Sequence, residues 1–137
     1  QIRSSAASDV YKRQAMGGIV IGYEIGRILN LETIFAERIN GNFQLRRGFE
    51  INKQNKILII EDVITTGKSS LECSNLVIKA GAEIVGYACI IDRSNGQSKI
   101  KNKIISQVEI NIPTYHKDDL PEHLKKIKPK KPGSRDL

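Results

Sequence analysis

Nine consecutive residues carry the densest chemistry in the chain: Glu61, Asp62, Val63, Ile64, Thr65, Thr66, Gly67, Lys68 and Ser69. The apolar run Ile57-Leu58-Ile59-Ile60 precedes them, as expected of a parallel strand buried on both faces. The two carboxylates come where that run stops. A loop follows, then a helix to residue 80 that Ser69 or Ser70 can cap. Loop amides and a helix N-terminus present N–H donors and positive dipole, suited to a phosphate. Thr65, Thr66, Ser69 and Ser70 add hydroxyl donors. Gly67 permits a positive φ and close approach to an anion. The carboxylates cannot bind phosphate, but they can accept from ribose hydroxyls, directly or through a metal. An acidic pair beside a phosphate cradle therefore points to a sugar phosphate. The bland alternative is a strand end followed by a turn. It leaves unexplained the cost of two carboxylates closing a buried strand. Thr66-Gly67-Lys68-Ser69 also resembles the end of a nucleotide P-loop. That motif needs a glycine five residues before its Gly-Lys pair, and the position holds Asp62.

The elements that must position this string are legible around it. The small-residue loop Ala15-Met16-Gly17-Gly18 leads into a helix over 19–30, with Ile21, Ile25, Ile28 and Leu29 on one face. Gly22 and Gly26, four apart, suggest close approach to a neighbouring element. A strand is expected over 32–38, a turn at Asn40-Gly41, and a second strand alternating Phe43, Leu45, Arg47, Phe49 and Ile51. After the helix carrying Cys73, Leu76, Val77 and Ala80, Gly81 supplies a stop. A buried strand follows over 84–91, and Val108, Ile110 and Ile112 alternate in a last one. The β-loop-α-β order implies a parallel sheet with a right-handed crossover. Residues 1–14 show no apolar period and no signal-peptide h-region. They read as a disordered or foreign leader.

Composition narrows the classes. A chain of 137 residues with 39% hydrophobic and 27% charged residues can form one globular domain. No apolar run approaches the roughly 20 residues that span a bilayer, which argues against a membrane protein. Cys73 and Cys89 form neither a disulfide framework nor a zinc module. The scarcity of aromatics, 5% with no Trp, weakens a base-stacking nucleic-acid module. The net charge of +7 is concentrated in residues 99–135, where ten Lys or Arg face four Asp or Glu. A basic chain suggests an anionic partner. The lysine-rich tail reads as a solvated face, and a phosphorylated small molecule accounts for the charge better than nucleic acid.

The string from Glu61 to Ser69 resembles the phosphoribosyl-pyrophosphate (PRPP) signature of type I phosphoribosyltransferases. Ala15-Met16-Gly17-Gly18-Ile19-Val20, Phe35-Ala36-Glu37-Arg38, Leu45-Arg46-Arg47-Gly48-Phe49-Glu50, Asp92-Arg93-Ser94 and Lys131-Pro132-Gly133-Ser134-Arg135 follow in the order of the orotate phosphoribosyltransferases. The resemblance covers residues 15–135. It implies an α/β fold: a mostly parallel sheet flanked by helices, with a protruding β-hairpin. It implies transfer of the phosphoribosyl group of PRPP to orotate, giving orotidine 5′-phosphate and pyrophosphate in de novo pyrimidine synthesis. Glu61 and Asp62 would hold the ribose hydroxyls, and residues 65–69 the 5′-phosphate. Thr65 and Arg93 would face orotate, and residues 15–18 the pyrophosphate. The hairpin arginines Arg38, Arg46 and Arg47 would close over the pyrophosphate. Magnesium would come mainly with PRPP, without a dedicated protein metal site. A cytoplasmic homodimer is implied, with neither nucleic acid nor membrane as partner. The family has a further segment before the Ala-Met-Gly-Gly loop that residues 1–14 do not resemble, so the chain reads as an N-terminally incomplete copy. Lys68 stands where glycine is commoner. Transfer to another base, or a non-catalytic PRPP-binding regulator of nucleic acid, are the alternative functions.

Overall fold

The computed structural model describes residues 2–7, 16–113 and 115–128. Six strands form one sheet in the order β3-β2-β1-β4-β5-β6. They are β1 (Ile2–Ala7), β2 (Thr33–Ile39), β3 (Asn42–Leu45), β4 (Lys56–Ile64), β5 (Glu83–Asp92) and β6 (Ile104–Glu109). Every pairing is parallel except β2 with β3, which is an antiparallel hairpin. Helix α1 (Met16–Leu29) joins β1 to β2, and α2 (Lys68–Lys79) joins β4 to β5. This is the expected mostly parallel α/β sheet with its hairpin. A short helix, α3 (Glu122–Lys125), lies near the end of the described chain. No helix among the described residues is long and apolar enough to cross a membrane.

The two crossovers leave the sheet centre in opposite directions. Because parallel crossovers are right-handed, α1 and α2 cover opposite faces. The side chains agree. Thr33 Oγ1 of β2 donates to the Gly22 carbonyl of α1 at 3.1 Å. Ala36, of opposite parity on β2, packs with Cys73 of α2. Ile57 and Ile59 of β4 cluster with Val77 of α2, Tyr87 and Cys89. The junction of β1 and β4 is thus the switch point of the sheet, where open α/β folds bind ligands at strand carboxyl ends.

Several sequence expectations change. Ile2–Ala7, read as part of a structureless or foreign leader, form the strand between β2 and β4. A parallel ladder is made by backbone groups, so a segment without an apolar period can fill it. Helix α1 begins at Met16, so residues 16–18 belong to its first turn instead of a preceding loop. Its buried stripe is Gly18, Gly22 and Gly26, while Ile28 and Leu29 are exposed. The close approach expected at Gly22 and Gly26 is made to the sheet, and of the expected isoleucine face only Ile21 and Ile25 are half-buried. The second hairpin strand stops at Leu45, because Arg47 (φ 58°) and Gly48 (φ 75°) turn the chain. The Asn40-Gly41 turn is as expected, with both φ positive (48° and 82°), the requirement of a tight hairpin. The last strand lies at 104–109, earlier than the alternation of Val108, Ile110 and Ile112 suggests. The Lys131-Pro132-Gly133-Ser134-Arg135 stretch lies outside the described residues.

Candidate active site

Strand β4 runs two residues beyond the acidic pair, because Val63 and Ile64 still pair with Ile91 and Asp92 of β5. Alternation along a strand sends successive side chains to opposite faces. Glu61 is buried at 5% exposure and accepts a hydrogen bond from Ser70 Oγ of α2 at 3.2 Å. Asp62 is exposed, and its Oδ1 accepts from the Val63 amide at 2.8 Å. The two adjacent carboxylates thus have different surroundings, one buried and one exposed. Glu61 braces the helix that carries the loop, and Asp62 is the carboxylate open to a ligand.

The loop itself spans Thr65, Thr66 and Gly67, and α2 begins at Lys68. Its cap is Gly67 in the left-handed region (φ 74°, ψ 8°), with no side-chain cap. Ser69 and Ser70, the expected caps, lie inside the first turn. Ser70 is turned inward to Glu61 instead. The first-turn amides of a helix have no intrahelical acceptor, and here they open on the loop. Thr66 Oγ1 accepts from the Lys68 amide at 3.3 Å. A Cβ on Gly67 would stand 2.8 Å from Ile100 Cγ1 and 3.0 Å from Ser98 Oγ. The Lys99 amide donates to the Thr66 carbonyl at 3.2 Å. Residues 98–100 therefore clamp the loop from behind, a support with no sequence motif to announce it. Another part unseen in the sequence is a buried hydroxyl chain: Ser74 Oγ donates to the Ser70 carbonyl, and lies 2.7 Å from Tyr87 OH.

Arg93 follows β5 and is exposed. Its amide donates to the Ile64 carbonyl at 2.8 Å, so its backbone is joined to the end of β4 just before Thr65. The hairpin arginines do not act as one group. Arg38 faces α2 and pairs with Glu72. Arg46 and Arg47 pair with Glu37 at 3.4 Å and 2.6 Å, and both are more than half exposed. Glu37 precedes Arg38 in β2 and so points to the α1 side. The Arg47 hydrogen bond holds the Glu37 carboxyl below the usual carboxylate range. Cys89 is buried, and its thiol is pushed up to about 11, chiefly by burial and next by Asp92. It is uncharged at neutral pH and offers no nucleophile. No cluster of three His, Cys, Asp or Glu side chains that could hold a metal occurs among the described residues.

A loop of hydroxyls and glycine follows the central strand of a switch-point sheet and opens a helix beside an exposed carboxylate. A family model described as "Phosphoribosyl transferase domain" matches residues 15–126. The fold is that of adenine phosphoribosyltransferase from Thermoanaerobacter pseudethanolicus, with a TM-score of 0.63 at 12% identity over 80% of this chain and 69% of that one. An orotate phosphoribosyltransferase of Maricaulis maris is 44% identical over 131 residues, 96% of this chain and 68% of that protein. Another, of Novosphingobium aromaticivorans, is 46% identical over 121 residues, 88% of this chain and 62% of that protein. The chain belongs to the orotate phosphoribosyltransferase family, and spans about two thirds of the length of these relatives.

Proposed function

We propose that this chain carries the PRPP site of an enzyme that transfers the phosphoribosyl group to orotate, releasing pyrophosphate and forming orotidine 5′-phosphate for pyrimidine synthesis. The observation that carries this reading is the loop of residues 65–67. It is capped by a left-handed Gly67 and opens helix α2 beside the exposed Asp62. Residues 65–69 take the 5′-phosphate through amides, hydroxyls and Lys68. Asp62 accepts from the ribose hydroxyls.

Breaking the bond to pyrophosphate develops positive charge on the ribose ring and negative charge on the leaving group. Asp62 stabilises the first electrostatically. Arg46 and Arg47, exposed on the hairpin, are the cations offered to the second once they leave Glu37. Closure of the hairpin would exclude water from the activated sugar. The attacking nitrogen of orotate deprotonates readily, so no protein base is required, and Arg93 pairs with the orotate carboxylate. Magnesium carried in with PRPP would supply positive charge to the leaving group. The donor set fits a cation held mainly by PRPP, with Asp62 as the residue that would hold its protein side. A cytoplasmic homodimer, with neither nucleic acid nor membrane as partner, completes the reading.

The test is the loss of orotate absorbance with PRPP and magnesium. The expected result is PRPP-dependent loss, and Arg93→Ala is expected to raise the orotate KM by about tenfold or more, the scale of a lost charge-assisted hydrogen bond. Salt-sensitive nucleic-acid binding without orotate consumption would favour a regulator instead.

A further inference from the structure

The family resemblance would give Arg38 to pyrophosphate, yet its surroundings give it other work. Its side chain is only 17% exposed. One Nη donates to the Gly41 carbonyl at 2.7 Å, the other to Glu72, and the guanidinium lies 4.2 Å from the centre of the Phe43 ring. Glu72 is the point of contact with the phosphate loop. It sits on α2 four residues after Lys68, whose ammonium is 3.9 Å from the other carboxylate oxygen and whose side chain is 80% exposed.

A carboxylate one turn into the helix is badly placed for anion binding. It opposes the positive helix end and competes with a phosphate for Lys68. Lysine preceding glutamate at this spacing is also the weaker order of an i,i+4 pair. A guanidinium that occupies Glu72 removes both handicaps.

We propose that Arg38 is a positioning residue that acts through Glu72. By neutralising this carboxylate it leaves Lys68 to the 5′-phosphate and fixes the base of the hairpin on α2. The inference rests on the reading of residues 65–69 as a phosphate cradle. It assigns Arg38 no contact with the diphosphate.

Ribose 5-phosphate, which carries no diphosphate, is the discriminating probe. Its affinity is measured calorimetrically on the full chain and on Arg38→Gln, Arg38→Lys, Glu72→Gln and the Arg38→Gln/Glu72→Gln double variant, each below its unfolding temperature. Arg38→Gln is expected to weaken binding about fivefold, the scale of one partly exposed ion pair. Arg38→Lys keeps the charge and is expected to bind within about twofold of the native chain. Glu72→Gln is expected to bind at least as well as the native chain. The double variant is expected to match Glu72→Gln, because removing the carboxylate makes its partner dispensable. A double variant as weak as Arg38→Gln overturns the proposal. So does an Arg38→Gln chain that binds ribose 5-phosphate normally while losing magnesium–PRPP. Flat titrations for all five proteins would instead remove the cradle reading itself, and the proposal with it.

Discussion

Asp62→Asn is expected to lower kcat for orotate by about a hundredfold or more, in the range measured when one preorganised electrostatic group is lost from an active site. The expected size comes from charge. The migrating ribose carries its positive charge only in the transition state, so an anion nearby lowers the barrier more than it strengthens binding. Asparagine keeps the shape and removes the charge. The fold should not notice: Asp62 is exposed, and its hydrogen bond from the Val63 amide can be made equally by an asparagine oxygen. The thermal midpoint is therefore expected to stay within about 2 °C, as for a neutral surface substitution. PRPP affinity should fall far less than kcat. Unchanged turnover would show that the exposed carboxylate of β4 has no part in the reaction.

The second large effect concerns the scaffold. Gly26→Ala is expected to destabilise the chain, although alanine favours a helix by about 1 kcal/mol over glycine. A Cβ at this position would lie 2.0 Å from Thr33 Oγ1 and 2.9 Å from the Leu31 carbonyl oxygen. The hydroxyl could rotate away only by giving up its bond to the Gly22 carbonyl, and the carbonyl oxygen is backbone. Overpacking of this kind costs about 1–3 kcal/mol. With the Thr33 hydrogen bond, about 1 kcal/mol, lost as well, the alanine gain is offset and a net loss of roughly 1–3 kcal/mol remains, a fall in Tm of about 3–10 °C for a domain of this size. Thermal unfolding followed by circular dichroism reads it. A higher Tm would mean that α1 does not approach the sheet through its glycine stripe.

The parts of this fold that the sequence announces are those whose side chains repeat with the period of their element, or whose backbone demands a special residue. The run from Ile57 to Ile60 marks the central strand. The Asn40-Gly41 turn and the Gly67 and Gly81 positions are named by their positive φ. The loop of residues 65–67 is legible because hydroxyls, glycine and helix start coincide in a few residues. What hides is what depends on parity and on distant partners. Adjacent in sequence, Glu61 and Asp62 look like a pair, yet Glu61 is buried against Ser70 and Asp62 is exposed. Arg38, Arg46 and Arg47 look like one basic cluster, yet Glu72 and Glu37 divide them between two faces. The clamp of Ser98, Lys99 and Ile100 on the loop arises from tertiary packing alone. Strand β1 hides for a different reason, since backbone pairing carries no side-chain period.

The central claim is that residues 65–69 form the seat of a ribosyl phosphate. Its most direct test is a nitrogen-15 amide titration of the whole chain with ribose 5-phosphate. The account predicts saturable shifts centred on Thr65, Thr66, Gly67, Lys68, Ser69 and Ser70, with smaller ones at Lys99 and Ile100 behind the loop. Shifts confined to exposed lysines such as Lys125, Lys126 and Lys128, with the loop amides unmoved, would contradict it.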